Sequence, residues 1–321
     1  MYVHPRLIIF LFLLLQVSAR GQGLLYGPGY QSAMTGNPGI TGSGGDGSLR
    51  LSYMNLYPGG AYNLHSAIVS YDGYFPALHG GAGVFVSNDY LGGIFNDLKA
   101  GVSYSYFFQA DKNLWFSAGL TASVYHRGFN AGNAVLPDQI DPLAGPVLPS
   151  GESLASEGRT LFDLGTGFVF YSGKLSGGLA VNHLAEPGLS FNDPEGRLKR
   201  VLIIHLTGDF VAGNNKQAVI KPLGIIEMQQ GYFSAAAGAA VTFSYISASS
   251  IFLTGNSGNL DLQAGLSVNA GIADIFYNYR FNILTGNNVL PFSLQHHTGV
   301  ALRLLNVDKR KTIKTIKFPI L

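Results

Sequence analysis

Four carboxylates fall in one stretch rich in Pro, Gly and Asp: Asp138, Asp141, Glu152 and Glu157. Acidic side chains gathered on a loop are the raw material of a cation site, but calcium loops space their oxygens tightly. Here they spread over 20 residues, which is a weak pattern for a shared metal. His296 and His297 form the only adjacent histidine pair. On a strand, neighbours point to opposite faces, so the two cannot share a metal without a bulge. The chain has no GxxxxGK[ST] phosphate loop, no HExxH helix and no GxSxG elbow. Serines and histidines are present, yet no spacing selects a nucleophile, a base and an orienting group. No catalytic, cofactor or metal residue is therefore assigned, and a non-enzymatic role is expected.

Composition restricts the class further. Of 321 residues, 47% are hydrophobic and only 12% charged, about half the charge of an ordinary soluble chain. There are 21 Phe, 17 Tyr, 43 Gly and no Cys, with a net charge of +2. Abundant aromatics and low charge argue against disorder. The lack of Cys removes a disulfide framework, a Cys-ligated metal and lipid attachment through a cysteine. Nothing in the charge balance points to nucleic acid.

The ends differ from the middle. Arg6 precedes an apolar run from Leu7 to Leu15, and Val17-Ser18-Ala19 offers small residues for cleavage. Residues 1–20 read as a signal peptide, too short to span a bilayer. At the other end Lys309, Arg310, Lys311, Lys314 and Lys317 crowd a tail, residues 306–321. It reads either as a solvated end or as a basic surface for an acidic partner. Residues 21–47 are Gly-rich and weakly patterned, taken as a periplasmic leader or a plug-like segment.

Between these ends no apolar stretch is long enough for a helical span, but alternation recurs. Leu98, Ala100, Val102, Tyr104, Tyr106 and Phe108 oppose Lys99, Gly101, Ser103 and Ser105. Leu202, Ile204, Leu206 and Phe210 oppose His205, Thr207 and Asp209, and Ile275, Tyr277, Tyr279 and Phe281 oppose Asp274, Asn278, Arg280 and Asn282. Short alternating spans of about 9–11 residues are the signature of a transmembrane β-barrel. A charge facing hydrocarbon costs roughly 2–4 kcal/mol at the midplane, so the polar faces are assigned to the lumen. Asp209, Asp274, Arg280 and Arg303 are candidate lumen charges.

The alternation predicts strands over 48–57, 61–71, 79–89, 97–108, 114–126, 160–171, 174–184, 200–212, 216–229, 231–242, 244–255, 258–270, 271–283 and 294–305. These are fourteen antiparallel strands, an even number as a closed bacterial barrel requires. Long links follow odd-numbered strands and short ones follow even-numbered strands. That parity makes residues 127–159 a long extracellular loop and places both termini in the periplasm. Tyr53, Tyr71, Tyr90, Phe108, Tyr125, Tyr171, Phe210 and Phe281 recur near strand ends, as aromatic girdles do. The expected organisation is residues 1–20 signal peptide, 21–47 periplasmic segment, 48–305 outer-membrane barrel in contact with lipid, and 306–321 basic tail.

The order of several short motifs resembles one family. Asn37-Pro38-Gly39-Ile40-Thr41-Gly42 is similar to the NPAxxG-like opening of PorP/SprF proteins. Gly81 to Asp89, ending in Asn88-Asp89, resembles their GLGxxVxND stretch, and Leu175 to Leu184 resembles the second half of their hairpin. The likeness covers most of residues 30–305 and singles out Asn37, Pro38, Gly42, Asn88 and Asp89 as family-motif positions. It implies an outer-membrane component of the type IX secretion system of Bacteroidetes, assisting export or attachment of cargo such as adhesins and tied to gliding motility. It also implies partners: periplasmic ring components and cargo with a C-terminal sorting domain. Two positions depart from the pattern: Asn55 to Gly60 replaces an aromatic-rich stretch, and a Lys-rich tail follows the last strand. A passive porin or small-solute transporter is the alternative function.

Overall fold

The computed structural model describes residues 33–56, 64–141, 143–151, 156–189, 196–212, 218–256, 258–284 and 294–304. The signal peptide, residues 57–60 of the first departure, Glu152 and the basic tail lie outside the described residues.

Fourteen strands form the wall: β1 Gly47–Leu56, β2 Leu64–Phe75, β3 Gly80–Leu91, β4 Phe95–Asp111, β5 Leu114–Phe129, β6 Glu157–Ser172 and β7 Leu175–Asn182. Strand β8 runs Val201–Gly208 and resumes as Phe210–Ala212; both pieces pair with the next strand. The rest are β9 Ala218–Gln229, β10 Tyr232–Phe243, β11 Ile246–Gly255, β12 Leu260–Ala270, β13 Ala273–Leu284 and β14 Gln295–Leu304. Each pairs antiparallel with its neighbour, and β1 pairs with β14 from Gly47↔Leu304 to Leu56↔Gln295, closing the barrel. Closure leaves the sheet without two outer edges, which is what lets strands live in lipid. The predicted count of fourteen agrees with the structure, with bounds differing by a few residues. Strand β8 is interrupted at Asp209, which keeps the inward parity of His205 and Thr207.

The pleat sorts side chains as the alternation predicted. One row crosses six strands as Leu51, Val69, Val86, Ala100, Val124 and Phe162, each paired with the next. Leu98, Val102, Leu120, Leu206, Phe252, Leu266 and Ile275 are exposed on the same outer face. Phe108, Phe116 and Phe168 stack across β4–β6 with centroids 5.4 Å apart. Such a belt has lipid as its only matching solvent. Among the described residues no helix is long and apolar enough to cross a membrane.

Two expectations need correction. The lumen is not simply polar: Phe85, Phe107, Trp115 and Ile251 alternate inward and are buried. They fill space left by small neighbours, a packing role that polarity counting does not register. Tyr125 and Tyr171 also turn inward, so they belong to no membrane girdle: Tyr125 is buried and its hydroxyl accepts from Arg127 at 3.2 Å, and Tyr171 is cross-strand from the inward Trp115.

Candidate functional site

The lumen holds the first described residues, 33–46. Ala33–Gly36 forms one helical turn and Pro38–Ile40 a 3-10 turn. From there to Asp46 the chain runs along the inner face of the wall, against β2 to β8, so a free periplasmic leader does not describe these residues.

Asn37 is the hub. Its Oδ1 accepts from the Gly39 N–H at 2.9 Å, capping the turn that Pro38 starts. With Oδ1 so used, Nδ2 donates outward: to the Phe168 carbonyl at 3.4 Å, the Leu179 carbonyl at 3.3 Å and His205 Nε2 at 2.9 Å. His205 must therefore accept at Nε2, which fixes a neutral imidazole protonated at Nδ1. Asn37 is 1% exposed and Thr41 0%. Thr41 Oγ1 lies 2.7 Å from Ser103 Oγ, and its carbonyl accepts from Ser105 Oγ at 2.6 Å. The Gly42 N–H donates to Asp72 at 2.7 Å, and Asp72 in turn pairs with Arg50. From the wall, Asn182 Nδ2 donates to the Gly36 carbonyl at 3.1 Å.

Two glycines make the fit possible. Gly42 sits at φ +70, a left-handed turn that glycine adopts without strain. A Cβ at Gly119 on β5 would overlap the Pro38 carbonyl, so only a bare backbone allows the turn to lie against the wall.

Most of the remaining described lumen charges are paired; Glu227, inward on β9 opposite Ser234, stands outside the ion pairs. Asp163, 2% exposed, lies 2.7 Å from His183 Nδ1 and 3.5 Å from Lys99 Nζ. Arg127 holds Asp97 through Nε and Nη2 at 2.7 and 2.5 Å. Of the four charges expected in the lumen, Arg280 binds Asp261 at 2.5 Å, Asp209 faces Lys221 at 3.7 Å, and Asp274 faces Arg303 at 3.3 Å. They form separate pairs rather than one constricting ring.

The family-motif positions divide. Asn37, Pro38 and Gly42 come together in the lumen latch. Asn88 and Asp89 take opposite faces of β3: Asp89 points inward and accepts from Ser66 Oγ, while Asn88 lies on the outer face between Ala67 and Leu98. The loop carboxylates do not converge. Asp138 accepts from the Gly151 N–H at 2.7 Å and Ser150 Oγ at 2.9 Å, and Asp141 from the Leu143 and Ala144 N–H groups at 2.8 Å. These bonds hold both carboxyls below the usual carboxylate range, Gly151 acting most on Asp138 and Ala144 most on Asp141. Glu157 opens β6. His296 and His297 face opposite sides, bound to Tyr277 at 2.6 Å and Ser52 at 2.7 Å. Among the described residues no three His, Asp or Glu groups gather as a metal site.

Sequence reasoning did not find the wall side of the latch: His205, Asn182, Asp72, Ser103 and Ser105. Their only signal was an inward position on an alternating strand.

A closed fourteen-stranded barrel with an apolar belt and a filled lumen is an integral outer-membrane protein. Its sequence matches the family described as type IX secretion system membrane protein PorP/SprF over residues 25–295, and the chain belongs to that family. It is an outer-membrane component of the type IX secretion system. Among curated proteins nothing matches. Similar solved structures include the Ralstonia pickettii toluene transporter TbuX, 12% identical over 90% of this chain and 96% of that one, with a TM-score of 0.51. The P. putida toluene transporter TodX is also 12% identical over 85% and 94% of the two chains, with a TM-score of 0.51. At that identity the likeness concerns the fold alone.

Proposed function

We propose that the protein is a non-catalytic, sealed scaffold of the type IX machine and not a conduit. The observation that carries this is the lumen. Wall side chains on both halves are shut off from water: Ser105, Ser117 and Ile251 are 0% exposed and Gln263 and Gln295 are 1%. A water-filled pore keeps its lining wet, and a porin's selectivity needs a ring of accessible charges; here most of the described charges sit in separate pairs, and the N-terminal segment packs against β2 to β8.

In this reading the termini face the periplasm, and the basic tail, Asn306 to Leu321, and the short turns meet ring components. The 127–159 loop faces outward and engages cargo bearing a C-terminal sorting domain, adhesins among them, in support of gliding motility. Outer-membrane barrels put long loops outside and short turns inside, which supports that orientation. Exposed ion pairs are individually weak, so a basic tail acts through several contacts at once.

The test is a clean deletion with mass spectrometry of surface and secreted fractions. Loss of a few proteins sharing the sorting domain marks a cargo-specific partner; loss of all marks a core part. An unchanged secretome overturns the reading and favours a small-solute transporter. Removing residues 306–321 while the barrel stays intact tests the tail, and unchanged recovery of ring components would sink that part.

A further inference from the structure

The wall has one large step. Strand β6 pairs with β5 along its whole length, up to Glu157↔Phe129. On its other side it pairs with β7 only from Thr166↔Val181 to Ser172↔Leu175. One further bond, from the Leu184 N–H to the Leu164 carbonyl at 2.9 Å, extends the contact. That bond fixes the parity of the edge. Backbone groups of one residue point the same way in an antiparallel strand, so those of Gly158, Thr160 and Phe162 point with Leu164, away from β5. Among the described residues no strand pairs with that side of them.

The described residues of the link after β7, 183–189 and 196–200, form no strand pairing with this edge. The link turns at His183 and Glu186, both at positive φ, and forms a bridge between Gly188 and Arg197. A Cβ at Gly188 would lie 3.7 Å from the guanidinium of Arg159, whose side chain points to the lumen, so Gly188 sits on the inner side of β6. The chain entering β8, which pairs with the start of this link at Gly188↔Arg197, carries Arg197, Lys199 and Arg200. Glu186 faces Arg200 at 3.6 Å.

We infer that the open edge of β6, Gly158 to Phe162, is a docking site for an extended, acidic segment of a partner polypeptide, which adds as one more strand. An unpaired row of N–H and C=O groups at strand spacing is matched by another extended backbone. Arg197, Lys199 and Arg200 supply the preference for acidic flanks. The long 130–156 loop ends where this edge begins. The inference deepens the scaffold reading and rests on it only for the partner's being an exported polypeptide.

The experiment uses the full-length protein in nanodiscs and a labelled ten-residue peptide alternating Val or Thr with Glu, read by fluorescence anisotropy. Two versions carry N-methyl groups on alternate residues, one set on each parity. Strand addition predicts that one parity abolishes binding and the other leaves it unchanged. It also predicts at least tenfold weaker binding to Thr160→Pro, which removes an edge N–H while sparing the β5 ladder, and to a Lys-substituted peptide. Retained heat-modifiability on gels shows that Thr160→Pro still forms the barrel; should it not, Thr160→N-methylthreonine placed by semisynthesis reads the same N–H. Equal binding of both N-methyl peptides, or full binding to either Thr160 variant, overturns the inference and indicates adsorption by charge alone. Binding to empty nanodiscs at the same strength overturns it in favour of lipid. Since binding is read on purified protein, its failure is distinct from an unchanged secretome.

Discussion

The amide of Asn37 and the Nε2 of His205 lie 2.9 Å apart, although 168 positions separate them in the chain. One residue ahead of the first strand is thereby tied to the eighth. The same amide reaches carbonyls on β6 and β7. A short polar side chain thus spans three neighbouring strands from inside, where a bond left unmade has no water to replace it.

Replacing Asn37 by Leu removes those bonds while keeping the branched shape and the number of side-chain heavy atoms. Each buried polar group left alone costs about 1–3 kcal/mol. The barrel should survive, since its ladders are untouched, while the 33–46 segment loosens. Limited proteolysis in micelles checks this: cleavage ahead of β1 should accelerate at least tenfold with heat-modifiability unchanged. Equal protection of the variant and the parent would refute the latch.

Gly119→Leu attacks the same contact from the wall. Its side chain must occupy the place of the Pro38 backbone. We expect the turn to be displaced and the lumen to admit ions. Planar-bilayer recordings should be quiet for the parent and show steps for the variant; conductance identical in both would mean that the segment is not what seals the barrel.

Asp163→Asn leaves Lys99 and His183 facing a neutral amide. The carboxylate is deeply buried, but its partners are less so, with side chains 24% and 17% exposed. A loss of about 2–3 kcal/mol is expected, below the fully buried limit. Trp115, the single tryptophan, faces the lumen and reports unfolding by fluorescence in urea. A midpoint within error of the parent would show that the cluster adds nothing.

Asp138 gives the long loop an acid sensitivity. Its folded carboxyl is held below the ordinary value, so its contribution is complete above the unfolded pKa, near 4. It fades as the pH falls through the lower, folded value. Hydrogen exchange at the Gly151 amide should be slow at pH 6 and fast near pH 2 relative to neighbouring loop amides, and Asp138→Asn should remove the difference. A flat ratio across that range would contradict the assignment.

What sequence reading captured follows from what alternation encodes. The rows through Val102, Leu120 and Leu266 obey period two, so strands, their number and the outer face were legible. Ile251 was not legible as a lumen residue, because its run, Ile246 to Gly255, mixes Ser and apolar residues on both faces. Tyr125 and Tyr171 stand near strand ends, where membrane girdles also stand, and only the pleat tells inward from outward. The latch was half visible: the Asn37 to Gly42 motif marked one side, but its partners Asp72, Ser103 and His205 are spread over strands that no local pattern links.

The lumen segment has a consequence for biogenesis. Its bonds to the wall described above run from Asp72 on β2 to His205 on β8. A sheet of β1 to β8 therefore already carries every one of these anchors, without the last six strands. The seam from Gly47↔Leu304 to Leu56↔Gln295 is not needed to hold the segment. The filling need not thread a finished cylinder: eight adjoining strands are enough to seat it.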